Sequence, residues 1–326
     1  MLAAWADRLG PPSVVQVVPR PDPVPGPGQV LVGVRAAAVN FPDVLMLAGK
    51  YQVPTDVPFT PGSEFAGVVL SVGDGVSPLL AGRRVQGTTF SGAFAEQVVV
   101  PAAAVQQIPA QLDDVGAAAF AVAYRTAYHA LVTVGGATAG DTVVVLGAAG
   151  GVGLASVDVA AALGMRVVAA ASSADRVALA CARGAKAGID YGAEDLKQRI
   201  KDLTGGIGAD LVIDPVGGRY AEPALRALRW GGRFVCVGFA SGEIPRIPLN
   251  LVLLKGVIVR GFELRTLPQN APEAVADGDR QLAELVRGGL RPYVSSVYPL
   301  DDVAEALAEV AERRAVGKVV ITTPGS

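Results

Sequence analysis

The sequence predicts an α/β protein: a doubly wound parallel sheet joined to a second, mostly β domain that a compact barrel would suit. Three observations predict it. Strands alternate with helices through the middle of the chain, short strands broken by Gly and Pro fill the first third, and the tail after about residue 260 returns to amphipathic helices and one closing strand. A chain of 326 residues is long enough for two domains. With 51% apolar and 18% charged residues it has ample core and no disordered character.

In the first third, "VLVGVRAAAV", "EFAGVVLSVG" and "FAEQVVVP" read as strands, and "PDPVPGPGQ", "VPFTPGS" and "VGDGVSP" as turn clusters. "DDVGAAAFAVAYRTAYHALVTVG" reads as helical, with Asp113 or Asp114 placed to cap it. Then strands and helices follow in turn: "TVVVLG" and "GVGLASVDVAAALG", "RVVAAA" and "SADRVALACARGA", the short strand "AGID" and a helix from Glu194 to Leu203. "ADLVIDPVG", the helix "YAEPALRALRWGG" and the strand "GRFVCVGFA" complete the series. The tail carries two amphipathic helices, "QLAELVRGGL" and "DDVAEALAEVAERRA", and the strand "GKVVIT". The expected domains are therefore residues 1–119 with 260–326, and residues 120–259.

Several classes are excluded or disfavoured. Net charge is -2, with no long basic run, so nucleic acid and anionic membranes are not expected partners. The stretch from Val143 to Ser172 is apolar but for Asp158 and Arg166. Its glycines and strand-like opening favour a buried βαβ unit over a membrane span. The start lacks a basic segment followed by an apolar block, so no signal peptide is expected. Two cysteines, Cys181 and Cys236, and one histidine, His129, give no metal-ligand spacing and no disulfide framework. A reducing, cytoplasmic setting is expected.

The chemistry centres on "LGAAGGVG", Leu146–Gly153. A strand runs into it and a helix leaves it, the context that a dinucleotide-binding fingerprint requires. Ala148, Gly150 and Gly153 take the positions of G-x-G-x-x-G. Gly150 permits close backbone approach to a pyrophosphate, and Gly153 permits close strand–helix packing. Ala149, Gly150, Gly151, Val152 and Gly153 are the expected phosphate contacts. About 20 residues on, where NAD-preferring sites carry an acid, the chain reads "ASSADR". Ser172, Ser173 and Arg176 suit a 2′-phosphate, which favours NADPH, although Ser173 reads equally well as a helix cap.

These residues, with "PGPGQVLVGVRAAAVNFPDVLMLAGKYQ", "PFTPGSEFAGVVLSVGDGV", "GAFAEQVVV", "VIDPVGG" and "VGFASGEIPRIPLNLVLLKG", resemble the zinc-free quinone oxidoreductase branch (zeta-crystallin-like) of the medium-chain dehydrogenase/reductase superfamily. The resemblance runs over nearly the whole chain. It implies a GroES-like β-barrel domain built from both chain ends and a Rossmann domain inserted in it. It also implies NADPH as cofactor, a homodimer, and a site between the domains. Asn40 and Tyr51 fall at positions that line the nicotinamide and substrate pocket, as the catalytic candidates. Asp43 follows in the same motif. Ser172, Arg176, Tyr191 and Arg314 fall where the adenosine 2′-phosphate is held. Val216, Gly217, Gly238, Phe239 and Lys318 are further cofactor contacts. Asn40 reads also as a turn residue, Tyr51 as core, Tyr191 as cover for a sheet edge and Asp43 as a helix cap.

The implied reaction is zinc-independent hydride transfer from NADPH to a quinone. An enone or acryloyl-type thioester is the alternative acceptor, for which Lys50, Arg246 and Arg265 are a candidate basic patch. Leu45 and Leu47 stand where many relatives carry an aromatic or Arg. An NADPH-binding protein with little turnover is the reading from a different class.

Overall fold

The computed structural model describes residues 1–324 and divides them into two compact units. The first comprises Met1–Val122 and the chain from Arg291 onward, the second Ala123–Leu290.

In the first unit, β1 (Leu2–Trp5) and β2 (Gln16–Pro19) form a small antiparallel pair. The main sheet is organised by the eleven-residue β3 (Gln29–Val39), whose Val30, Val32 and Val34 alternate into the core. It pairs antiparallel with β4 (Glu64–Val72) and β6 (Gln97–Pro101). Beyond β4 lie β5 (Arg84–Thr88) and β7 (Val105–Gln107). Gly67 of β4 is required by this packing, because a Cβ there would stand 2.0 Å from the Gly33 carbonyl oxygen.

The second unit holds a six-stranded parallel sheet: β8 (Thr142–Leu146), β9 (Arg166–Ala171), β10 (Ala187–Asp190), β11 (Ala209–Asp214), β12 (Leu228–Cys236) and β13 (Ile258–Gly261). Their order in space is β10-β9-β8-β11-β12-β13. The chain moves outward from β8 to β10, then returns to lay β11 on the other side of β8. Such a reversal opens a crevice at the carboxyl ends of the two strands, the position where α/β sheets bind ligands. Val143, Val144, Val145 and Leu146 are fully buried, as a strand covered on both faces requires.

The first unit is completed by β14 (Val294–Pro299) and β15 (Lys318–Thr322), and β15 pairs antiparallel with β3. The second boundary expected near residue 260 thus falls after Leu290 instead. β13 joins the parallel sheet beside β12, and the Pro272–Arg287 helix, expected in the barrel domain, belongs to the second unit. Gly278 lets that helix lie against Tyr128 and His129; a Cβ there would meet His129 Cε1 at 2.8 Å. The single helix expected over 113–135 is three pieces: Asp114–Ala118, capped by Asp113; Ala121–Tyr128; and a π-helical segment, His129–Val134.

Candidate active site

At the end of β8, Gly147 turns the chain with φ +59°, and the helix Gly151–Ala162 begins with Gly150 at its N-cap. A Cβ on Gly153 would stand 2.0 Å from the Gly147 carbonyl oxygen, so only glycine lets this helix start so close to the strand. No side chain caps the helix, and its first turn carries no acid. The next two helices differ. Ser173 caps Ala174–Ala182 with Asp175 in its first turn, and Asp195 accepts the Gln198 N–H at 2.7 Å to cap Leu196–Leu203. Backbone N–H groups at the Gly151 end are left to an anion, aided by the helix dipole.

The ends of β9 and β10 lie side by side, with Asp190 opposite Ala171 and the Tyr191 N–H bonded to the Ala171 carbonyl at 3.0 Å. This brings Ser172 and Tyr191 together, and the Arg176 guanidinium stands close enough to favour ionisation of the Tyr191 hydroxyl. Burial dominates there and pushes that hydroxyl up to about 12, so it is a hydrogen-bond donor at neutral pH. The Tyr191 ring packs on Tyr220, centroids 4.2 Å apart. Ser173 is the cap of the following helix, accepting the Arg176 N–H.

Across the crevice, Asp214 ends β11 and is buried. One of its oxygens accepts the Val216 and Gly217 N–H groups, both at 2.8 Å. Burial raises its carboxyl, and these two bonds oppose the rise. The clamp fixes Val216, whose Cγ2 would lie 2.7 Å from a Cβ on Gly147, directly over the glycine turn. Gly217, at φ +68°, backs onto Phe239; a Cβ would meet its ring at 2.8 Å. The Gly238 N–H points at the Asp214 carbonyl at 3.3 Å. Asp214 was not among the expected site residues. Its signal is an acid ending the apolar strand "LVID".

In the first unit Asn40 and Lys318 meet in a closed buried cluster. Lys318 Nζ donates to Asn40 Oδ1 (2.6 Å), Glu64 Oε2 (3.1 Å) and the Val39 carbonyl (3.3 Å). Asn40 Nδ2 donates to the same Glu64 oxygen at 3.0 Å and to the Ala38 carbonyl at 3.3 Å. The other Glu64 oxygen accepts the Val122 N–H at 2.6 Å. Lys318, expected as a cofactor contact, is buried, and all three ammonium hydrogens have protein acceptors. Both Asn40 amide hydrogens are likewise engaged, which leaves none for a substrate oxygen. Glu64, fully buried, was not foreseen.

Asp43 accepts the Asn40 N–H at 2.7 Å and so closes the first turn of the Phe41–Leu47 helix. Its other oxygen has no hydrogen bond of good geometry, although the Ser63 hydroxyl stands beside it. Desolvation raises its carboxyl to about 7 against the Asn40 bond, Ser63 and the Lys318 charge. Tyr51 is half-buried in the bend after that helix. Arg314 lies in the first unit, bonded to Glu312 at 2.7 Å. Of the basic candidates, Lys50 is exposed, Arg246 lies on the second unit and Arg265 bonds Glu263 at 3.1 Å.

Among the described residues no group of three or more His, Cys, Asp or Glu is placed to hold a metal ion. His129 is buried with Nδ1 on Thr133 Oγ1 at 2.9 Å, and an ammonium occupies the centre of the Asn40 cluster. This donor set does not fit zinc. No helix among these residues is long and apolar enough to cross a membrane.

Comparison with known proteins agrees with this architecture. Residues 26–110 match the model of the alcohol dehydrogenase GroES-like domain, and residues 151–279 that of the zinc-binding dehydrogenases. The chain is 39% identical over 324 residues to the quinone oxidoreductase-like protein 2 homolog of Nematostella vectensis, covering 98% of this chain and 88% of that one. The quinone oxidoreductase of Thermus thermophilus, solved alone and with NADPH, superposes with a TM-score of 0.86 at 35% identity, over 99% and 100% of the two chains. The Escherichia coli quinone oxidoreductase complexed with NADPH gives 0.91 at 28% identity, over 99% and 100%.

Proposed function

The chain belongs to the quinone oxidoreductase-like proteins of the medium-chain dehydrogenase/reductase superfamily, and on that premise we propose that it is an NADPH-dependent reductase of quinones. The observation that carries the reading is the uncapped start of the Gly151–Ala162 helix at the reversal point of the parallel sheet. The backbone from Ala149 through Gly153 would hold the pyrophosphate. Ser172, Arg176 and Tyr191 would hold the 2′-phosphate, with Ser173 contributing as the cap that orients Arg176. Val216, Gly217, Gly238 and Phe239 would wall the nicotinamide side.

NADPH, when bound, supplies the hydride. The protein's part is to orient and to exclude water, which asks for no paired acid and base. Asn40, with its amide committed, serves by fixing the start of the segment that leads to Tyr51, and Tyr51 would supply the hydroxyl that meets the acceptor. The test follows NADPH and NADH oxidation in parallel with a panel of quinones, enones and an acryloyl thioester. Turnover of a quinone with NADPH preferred supports the proposal. Turnover only of an enone or thioester replaces the acceptor, and tight NADPH binding with no turnover at all replaces the activity with a binding role.

The proposed assembly is a homodimer through β13. That strand is the open edge of the sheet, all four of its residues are exposed, and the exposed Leu249, Leu253 and Leu254 of the preceding helix belong to the same unit. Edge strands left open invite pairing with a second chain. Val259→Lys is expected to shift the mass measured by light scattering from dimer to monomer; a wild-type chain that runs as a monomer removes the proposal.

A further inference from the structure

We propose that Lys318 is a positioning residue, which acts through Asn40 to hold the Asn40–Tyr51 segment in its working orientation. The inference rests on the reductase reading for what the segment does, and on the geometry alone for what Lys318 does. Sheet register creates the contact. Val319 of β15 lies opposite Val39 of β3, so the next pair brings Lys318 to Asn40 across 278 positions of sequence. The two residues sit where β3 ends and the Phe41–Leu47 helix begins.

The bonds leave Asn40 one orientation. Its carbonyl oxygen faces the ammonium and its amide nitrogen faces the Glu64 carboxylate. Turning the amide over would set NH₂ against NH₃⁺ and oxygen against carboxylate. Glu64 cannot turn aside to accommodate this, because its other oxygen is held by the Val122 N–H. Four separate stretches therefore meet at one buried point: the end of β3, the start of β4, the start of β15 and the helix that begins at Ala121. Asn40 then passes the constraint on, since its own N–H is bonded to Asp43 in the first turn of the site helix.

The experiment compares the wild-type chain with Lys318→Met and with the double variant Lys318→Met/Glu64→Gln, which leaves no unpaired buried charge and guards against a single variant that fails to fold. Amide hydrogen exchange is read by mass spectrometry, and NADPH dissociation constants and quinone kinetics are measured on the same samples. The expected result for the double variant is exchange at least tenfold faster across residues 40–51, with exchange across β8–β12 unchanged. Its kcat falls at least tenfold, while the NADPH dissociation constant stays within twofold. Wild-type exchange across residues 40–51 overturns the proposal. So does a tenfold weaker NADPH complex with kcat unchanged, which would make Lys318 a cofactor ligand. If the wild-type chain turns over no quinone, the reductase reading fails, and the exchange result still decides whether Lys318 holds the segment.

Discussion

The Gly147–Gly153 turn and the Asn40–Glu64–Lys318 cluster handle polar groups in opposite ways. The turn ends in a helix with no cap and no acid in its first turn, so its backbone donors face outward for a ligand. In the cluster every ammonium and amide hydrogen, and both Glu64 oxygens, already have partners inside the protein. A site that binds a large anion keeps donors in reserve. The cluster closes its own network instead, because a half-satisfied buried network costs more than none.

The sharpest way to break the contrast is Lys318→Met alone. It strands the Glu64 carboxylate in the interior, and removing one partner of a buried pair costs about 3–5 kcal/mol; urea denaturation should show a loss of that order. Asp43 comes next. Its folded carboxyl titrates at about 7 against 3.8 unfolded, so between these values the native state keeps a proton that the unfolded chain has released. Stability therefore falls as pH rises from about 4 to about 7. Asp43→Asn removes the titration, and its gain over wild type should be larger at pH 8 than at pH 4.5 by about 3 kcal/mol. Equal gains at both would mean that the carboxyl ionises normally.

On the open side of the comparison, Gly153→Ala must push the helix away from the Gly147 carbonyl. Overpacking of this kind costs about 1–3 kcal/mol, and calorimetry should show NADPH binding weakened along with the fold. The smallest effect sharpens the cofactor assignment. Arg176→Ala should weaken NADPH by about 2 kcal/mol, the worth of a charge-assisted bond, and leave NADH nearly unchanged. The same loss for both cofactors would take Arg176 out of the phosphate site.

The open turn was legible in the sequence and the closed cluster was not. Strand, glycines and helix follow one another within some twenty residues, so local pattern suffices for β8 and its turn. Lys318 and Asn40 meet only through the register of β15 on β3, which no local pattern shows. A lysine in sequence does not reveal how many acceptors surround it, and so Lys318 was expected only as a cofactor contact. Glu64 sits in a run that reads as an ordinary apolar strand. The Pro272–Arg287 helix was legible as amphipathic, but its apolar stripe does not say which domain it covers.

The closing position of β15 also sets an order of assembly. Residues 123–290 are contiguous, so during vectorial synthesis the parallel sheet is complete in the emerged chain while the barrel unit still lacks its last two strands. Until the final stretch from Lys318 onward leaves the ribosome, β3 has an open edge at Ala36–Val39, and the carboxylate of Glu64 has no counter-charge. A nascent chain stopped just before Lys318 would carry a finished parallel sheet and an unfinished first unit, its open edge exposed to whatever chaperones or proteases recognise such edges.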